Sequence, residues 1–364
     1  MADSHDSAFA NPAFCRLASA EDIPKLEHLL CELGGDGFLS RLGGRTVSEF
    51  CHWKYFQNPA GDAVIGVAVD GDRVVSLAAG VPKQVQVHSK ICLALELGDF
   101  ITDVSYRRRG LFSHIIELIC NEGRKLGAAF AYVRPNENSF PILVSRLGFQ
   151  EVARISERRY VLPSTVLQRK LGLPGHVAKG FGLDALVRYF VLPTISEGIK
   201  IVAVESFGSD ADEMAEKLRP NLRFCVSRHS KYLNWRYSDS PTPYRIWLAY
   251  RENALCGYLV ELREFSAARG WIADLFCAED DDAVATSLVR TCMQSMFDDG
   301  IQTVSTWVAA GPDQSAAART LTRAFPRIGD AGLHFVVRPL QEDFTTSSLP
   351  PSGWRLAMGD FDGI

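Results

Sequence analysis

Six consecutive residues, Arg107-Arg108-Arg109-Gly110-Leu111-Phe112, combine groups suited to holding a pyrophosphate. The arginines supply fixed charge and forked N–H donors that match phosphate oxygens. Gly110 permits the tight turn and close backbone approach that a bound anion requires. Leu111 and Phe112 lead into a helix-like run, whose first-turn N–H groups lack partners and carry partial positive charge. A basic, solvated turn is the plain alternative, since a short motif means little without its surroundings. Two carboxylates stand just upstream, Glu96 and Asp99, in the strand-like run Leu93 to Val104. A glutamate within Cys92-Leu93-Ala94-Leu95-Glu96-Leu97 is costly to bury unpaired, so its pKa is expected to rise toward neutrality, as suits a general base. Its plain alternatives are a solvated strand edge or a pair with an arginine. Strict alternation puts Glu96, Gly98 and Phe100 on one face of the strand and Asp99 on the other. Asp99 is the reserve base, with a structural ion pair as its own alternative.

These groups need a scaffold, and the neighbouring sequence supplies one in a definite order. The strand and arginine turn are followed by a helical run, Ser113 to Lys125, and a short buried strand, Ala128 to Val133. The loop Pro135-Asn136-Glu137-Asn138-Ser139 then leads to a second helix that ends at Arg146-Leu147-Gly148-Phe149, with Gly148 as its stop. This ordered set resembles the GNAT acyltransferase family, whose acetyl-CoA loop has the form (Arg or Gln)-x-x-Gly-x-(Gly or Ala). Arg107 and Gly110 fit that form, and Phe112 departs from its last position. The likeness is close over about residues 50 to 160, and the runs Thr102 to Phe112 and Pro135 to Ser139 look most like larger bacterial members with two such domains.

The resemblance implies a reaction, transfer of an acyl group from acetyl-CoA or another acyl-CoA to a primary amine. It implies that the backbone of Phe100, Ile101 and Thr102 meets the pantetheine arm, with the Phe100 N–H as oxyanion donor. Arg107, Arg108, Arg109, Gly110, Leu111 and Phe112 are then the pyrophosphate cradle. Asn136 and Ser139 are expected to hydrogen-bond the cofactor, although both are ordinary turn residues. Glu96 precedes Arg107 by the spacing of the general-base glutamate in histone-type members. The family's thiolate-protonating tyrosine falls on Val144, so Tyr132 or water is the substitute acid, and a buried core role is the alternative for Tyr132.

The chain also repeats itself. Trp53-Lys54-Tyr55 with Pro59 and Trp235-Arg236-Tyr237 with Pro241 share one spacing, and each is followed by strand, polar turn and strand. Trp53, Tyr55, Trp235 and Tyr237 could line an acceptor cleft, but pinning a helix to a sheet is the preferred reading. The copies stay parallel through Trp271 to Cys277, Ala285 to Phe297, Thr303 to Val308 and Arg323-Ala324-Phe325. At the turn they differ: the second copy has Glu279-Asp280-Asp281-Asp282, which suits a helix dipole and repels a pyrophosphate. The expected architecture is an α/β fold, of the mixed-sheet α+β kind, with two GNAT-like domains in tandem. These are an N-terminal domain at 1–160 with the acyl-CoA site, a connector at 161–200 and a degenerate C-terminal domain at 201–364. Within the connector, Leu183–Leu192 reads as a short helix, and Arg169, Lys170 and Lys179 raise a less favoured membrane-surface reading. The tail from Trp354, with Asp360 and Asp362, has no chemistry legible in it.

A chain of 364 residues accommodates two cores, and a net charge of −4 leaves no basic excess for general nucleic-acid binding. Nine cysteines form no Cys-x-x-Cys pair and eight histidines no His-x-x-x-His, so no metal is expected and the cysteines read as reduced core residues. Met1 to Asn11 lacks an apolar signal core and no apolar run reaches spanning length, so no membrane span and a cytoplasmic location are expected. Self-association as a homodimer stays open. The acceptor class implied by the larger two-domain relatives is an amino sugar, often nucleotide-linked. Two other readings compete: a CoA-binding sensor or scaffold without catalysis, and a peptidoglycan-bridge type aminoacyltransferase, for which a CoA loop is unnecessary.

Overall fold

The computed structural model describes residues 13–33, 42, 44–171, 196–278, 280–309, 315–329, 332–350 and 352–361. Its first half runs β1 (Phe14–Leu17), α1 (Ile23–Leu33), α2 (Val47–Phe56), β2 (Val64–Asp70), β3 (Arg73–Val87), β4 (Lys90–Thr102), α3 (Leu111–Lys125), β5 (Phe130–Val133), α4 (Phe140–Arg146) and β6 (Gln150–Val161). After α5 (Pro163–Leu171), the second half follows the same plan: β7 (Ile199–Val204), α6 (Ser209–Leu218), β8 (Phe224–Val226), α7 (Ser230–Leu233), β9 (Tyr244–Arg251), β10 (Ala254–Glu264), β11 (Arg269–Cys277), α8 (Asp282–Asp298), β12 (Thr303–Ala309), α9 (Ala316–Ala324), β13 (Leu333–Pro339) and β14 (Trp354–Arg355). Leu183–Leu192, Lys179, Glu279 and Asp362 lie outside the described residues, as do the side chain of Arg169 and most of the connector.

Local chemistry accounts for these elements. Thr46 and Glu49 form a capping box at the head of α2, each side chain closing on the other's backbone N–H. α3 buries Leu111, Ile115, Ile116, Ile119 and Cys120, a stripe at helical spacing, against β2 and β3. It can lie that close because Gly66 faces it, where a Cβ would come within 2.6 Å of the Ile115 side chain. α8 packs its stripe of Val284, Leu288, Cys292 and Met296 on the second half in the same way.

The strands join in one mixed sheet whose main path runs β1-β2-β3-β4-β5-β13-β6-β12-β11-β10-β9-β7. The middle of that order is a reciprocal exchange. The strand after α4, β6, leaves its own half to pair with β12. The strand after α9, β13, crosses the other way to pair with β5, and the two exchanged strands pair with each other, all antiparallel. Strand pairing therefore crosses between residues 1–160 and 201–364 in both directions.

A shared core lies under this junction, drawing on α1 and α2 of one half and α6 and α7 of the other. Trp53 donates its indole N–H to the Trp235 carbonyl at 2.6 Å, and Trp235 returns the bond to Trp53 at 3.0 Å. The two rings stack with centroids 5.2 Å apart. The repeated Trp-basic-Tyr elements thus meet each other between the two halves, and all four of their aromatics are buried.

Candidate active site

β4 and β5 run parallel and pair from Ala94–Phe130 to Glu96–Tyr132, and beyond that point the ladder stops. Past its end lies a cavity of about 550 Å³, a size suited to a small-molecule site. Phe100 and Thr102 line one side, the segment Tyr106 to Ser113 forms its base, and Asn136, Asn138, Ser139, Ile142 and Arg146 close the other side. Nine of the expected cofactor residues are brought together there: Phe100, Thr102, Arg107, Arg108, Gly110, Leu111, Phe112, Asn136 and Ser139. Arg146, Tyr106 and Ser113 were not anticipated. Arg146 carries one available clue, a cation one helical turn beyond Ile142 at the end of α4.

The arginine turn is braced from behind. Asp103 accepts from the Ser105 N–H at 2.9 Å and hydroxyl at 2.6 Å, and Arg73 adds a bond to the same carboxylate at 2.7 Å. These bonds hold the Asp103 carboxyl below the usual range. Arg107 donates from Nε to the Thr102 carbonyl at 3.2 Å. Arg108 and Gly110 both take left-handed backbone, with φ of +64° and +80°. Gly110 then caps α3 with no side chain of its own, so the first-turn N–H groups face the cavity unobstructed. The lining includes three guanidinium groups, Arg107, Arg108 and Arg146, and no carboxylate.

Two expected residues stand outside the lining. Arg109 folds back, donating to the Ser105 carbonyl at 3.0 Å with its guanidinium over the Tyr106 ring. Ile101 turns to the shared core. Asn136 and Ser139 satisfy one another: the Asn136 side-chain oxygen accepts from the Asn138 and Ser139 N–H groups, and the Ser139 hydroxyl accepts from the Asn136 N–H. Their side chains shape the loop as turn residues do.

The strand faces differ from strict alternation. Opposite β3, Gly98 pairs with Ala79 but Ile101 pairs with Leu77, so β4 carries one extra residue between them. That bulge, with Asp99 at a φ of +54°, shifts the phase of everything after it. Phe100 consequently turns away from Glu96 and meets Phe112 edge-on at 5.0 Å in the cavity. Asp99 joins the Glu96 face instead. There it accepts from the Lys54 ammonium at 2.7 Å and the Tyr55 hydroxyl at 2.8 Å.

Glu96 itself is 3% exposed and lies 3.7 Å from the Lys83 ammonium. Lys83 is also buried and sits over the Trp235 ring at 4.6 Å, so the second half roofs this pair. Arg134 stands nearby over Trp307; burial lowers its pKa, opposed by the charges of Glu96 and Glu157. Tyr132, the ladder partner of Glu96, is fully buried with its ring against Phe335 and Phe361. It lies outside the cavity lining, and so does Val144. Trp53, Tyr55, Trp235 and Tyr237 likewise line no part of the cavity.

The second half repeats the frame without the site. β11 and β12 pair over Arg269–Thr303 to Trp271–Ser305, and the gap beyond holds only about 50 Å³. Trp354, Leu356 and Met358 of the tail occupy its wall. Arg228 holds Asp360 by two bonds of 2.6 and 2.9 Å, with both side chains buried. At the turn, Asp281 caps α8 through the Val284 N–H and pairs with Arg251, while Asp282 pairs with Arg319.

Comparison with known proteins agrees with this geometry. Residues 40–152 match the acetyltransferase (GNAT) domain family. No curated protein matches the chain at a significant level. Among solved structures, a probable N-acyltransferase from Enterococcus faecalis V583 superposes with a TM-score of 0.60 at 12% identity, over 91% of this chain and 73% of that one. A tandem GNAT protein from the clavulanic acid biosynthesis pathway gives 0.56 at 13% identity, over 91% of this chain and 99% of that one. The N-myristoyltransferase of Saccharomyces cerevisiae, solved with bound myristoyl-CoA, gives 0.59 at 12% identity over 95% and 85%. The arginine-glycine turn, the bulged strand and the cavity between them thus lie largely within the stretch that matches the acetyltransferase (GNAT) domain family, in a chain whose fold is similar to that of a tandem GNAT protein.

Proposed function

We propose that the protein is an acyl-CoA-dependent N-acyltransferase whose first half carries the site. The observation that carries this reading is the cavity between the bulged strand and the arginine-glycine turn, open at a helix head, whose charged lining groups are three arginines and no carboxylate. A CoA pyrophosphate fits that chemistry: Arg107 and Arg108 supply charge, and the Leu111 to Ser113 N–H groups supply donors. Phe100 presents its N–H at the bulge, where a thioester carbonyl would gain negative charge as an amine attacks. Proximity supplies a large part of the rate, and a base that takes the ammonium proton supplies about 10²–10⁴-fold more. Glu96 fills that role in this reading, with Lys83 beside it as the group that tunes and orients the carboxylate. The departing thiolate takes its proton from water, since Val144 has no hydroxyl and Tyr132 is enclosed in the core.

Acetyl-CoA is the proposed donor and an amino sugar, free or nucleotide-linked, the proposed acceptor. The chain acts in the cytoplasm in this reading. Calorimetry with acetyl-CoA tests the site. Wild type binds, and Arg107→Ala/Arg108→Ala does not; a folded wild type that fails to bind returns the turn to a solvated surface. The burial of Glu96 against Lys83 favours one second reading, a CoA-binding sensor without turnover. Glu96→Gln separates the two. An enzyme keeps its affinity and loses thiol release with the amines that the wild type accepts, whereas a sensor shows no thiol release in either form.

A further inference from the structure

The β4 bulge places a non-glycine residue, Asp99, in left-handed backbone at φ +54°, a conformation that needs support from its surroundings. One carboxylate oxygen supplies side-chain support there, between ladder pairs at Gly98 and Ile101. Asp99 Oδ2 accepts from Lys54 Nζ at 2.7 Å and from Tyr55 Oη at 2.8 Å. Both donors are fully buried on α2, and α2 is fixed in turn by the Trp53–Trp235 exchange of bonds. The next residue after Asp99 is Phe100, which lines the cavity. An oxygen that already accepts a charged and a neutral donor is poorly placed to abstract a proton, so the reserve role as base does not suit it.

The second half provides an internal control. Asp274 stands three residues past Trp271 in its ladder, as Asp99 stands three past Glu96 in the first. The Tyr237 hydroxyl bonds Asp274 at 3.0 Å, matching the Tyr55–Asp99 bond. Here too the strand carries a register shift. The tyrosine–aspartate bond thus recurs beside a bulge in both copies, but Asp274 pairs in register with Val260 and only Asp99 takes left-handed backbone, so only the first copy has a strained residue for the bond to hold.

We propose that Asp99, tethered by Lys54 and Tyr55, is a positioning residue that locks the bulge and so aims the Phe100 N–H at the thioester carbonyl. The target of that N–H rests on the acyl-transfer reading above; the lock itself does not. Two measurements separate them. In ligand-free protein, Tyr55→Phe should speed amide hydrogen exchange across residues 98–102 about tenfold, as expected for loss of one hydrogen bond to a carboxylate. Tyr237→Phe, which removes the matching bond in the second half, should leave that segment unchanged. Asp99→Asn, which tolerates left-handed backbone and still accepts from Tyr55, should loosen the segment less than Asp99→Ala. With acetyl-CoA labelled at the carbonyl carbon, the infrared C=O stretch should move to lower frequency on binding to wild type. It should return toward the free value in Tyr55→Phe at equal occupancy. Exchange across 98–102 that is indifferent to both Tyr55→Phe and Asp99→Ala, in folded proteins, overturns the lock. A thioester stretch equally shifted in wild type and Tyr55→Phe overturns the aim. Absence of acetyl-CoA binding by wild type is a different result, which sinks the acyl-transfer reading and leaves the exchange comparison to decide the lock.

Discussion

At the head of α3 the chain places Arg107, Arg108 and a glycine in left-handed backbone, whereas at the head of α8 it places Asp281 and Asp282. Both helices follow a strand that parts from its parallel neighbour, and both pack an apolar stripe on the sheet. The difference lies in what happens to the first-turn N–H groups. Asp281 satisfies one of them from within the chain while paired with Arg251, and Arg319 pairs with Asp282. A helix head that caps itself has little left to offer an anion. Gly110 contributes no side chain, so α3 leaves its donors for a ligand. One frame can thus be closed or opened by the residues at a single turn.

The largest effect should come from giving the first turn the charge of the second. Arg107→Glu/Arg108→Glu replaces two phosphate-binding cations with repelling charges and should weaken acetyl-CoA at least about 10³-fold by calorimetry, with little change in Tm because both residues are exposed. Affinity that survives this reversal would break the comparison. Next comes the closure of the second gap. Arg228→Met strands the buried carboxylates of Asp274 and Asp360, and should cost about 3–5 kcal/mol in denaturant unfolding. An unchanged midpoint would show that the tail is not what keeps the second gap shut. Asp281→Ala should cost about 0.5–2 kcal/mol through the lost cap, and should not create acetyl-CoA binding in the second half.

The smallest effect is one of acid. Arg319 beside Asp282 holds its carboxyl below the usual range, so the folded protein keeps this charge to lower pH than the unfolded chain. The pair contributes its full stability above about pH 4 and loses it as pH falls through the depressed pKa. Amide protection at the head of α8, measured relative to the intrinsic exchange rate at each pH, should therefore fall on acidification, while the head of α3, with no acidic residue in its first turn, lacks this response. Equal loss of protection at both heads would assign the effect to global unfolding.

Much of this was legible because it is local. The Arg-x-x-Gly turn, the hairpins and the doubled Trp-basic-Tyr spacing are each written in a few adjacent residues, and each lies where the pattern puts it. The phase of β4 was missed because alternation assumes an unbroken ladder. Gly98-Asp99 inside an apolar strand was the available signal, since both types are rare in strand interiors and gather at bulges. The Arg228–Asp360 pair was out of reach, because nothing near either residue names a partner so distant in the chain. The exchange of β6 and β13 was hidden for the same reason: β6 mixes apolar and charged residues, β13 is mostly apolar, and neither carries a mark of which edge it will join.

That exchange bears on how the molecule comes into being. The edge of β5 is covered by β13, which is synthesised about 200 residues later. At roughly 5–20 residues per second, the first half must wait on the order of ten seconds or more for its missing piece. Meanwhile it exposes an unpaired edge beside the β4–β5 ladder, a template for wrong partners. The site-bearing half is thus the half that is born unfinished, and a nascent chain stalled within the second half should be a client for chaperones.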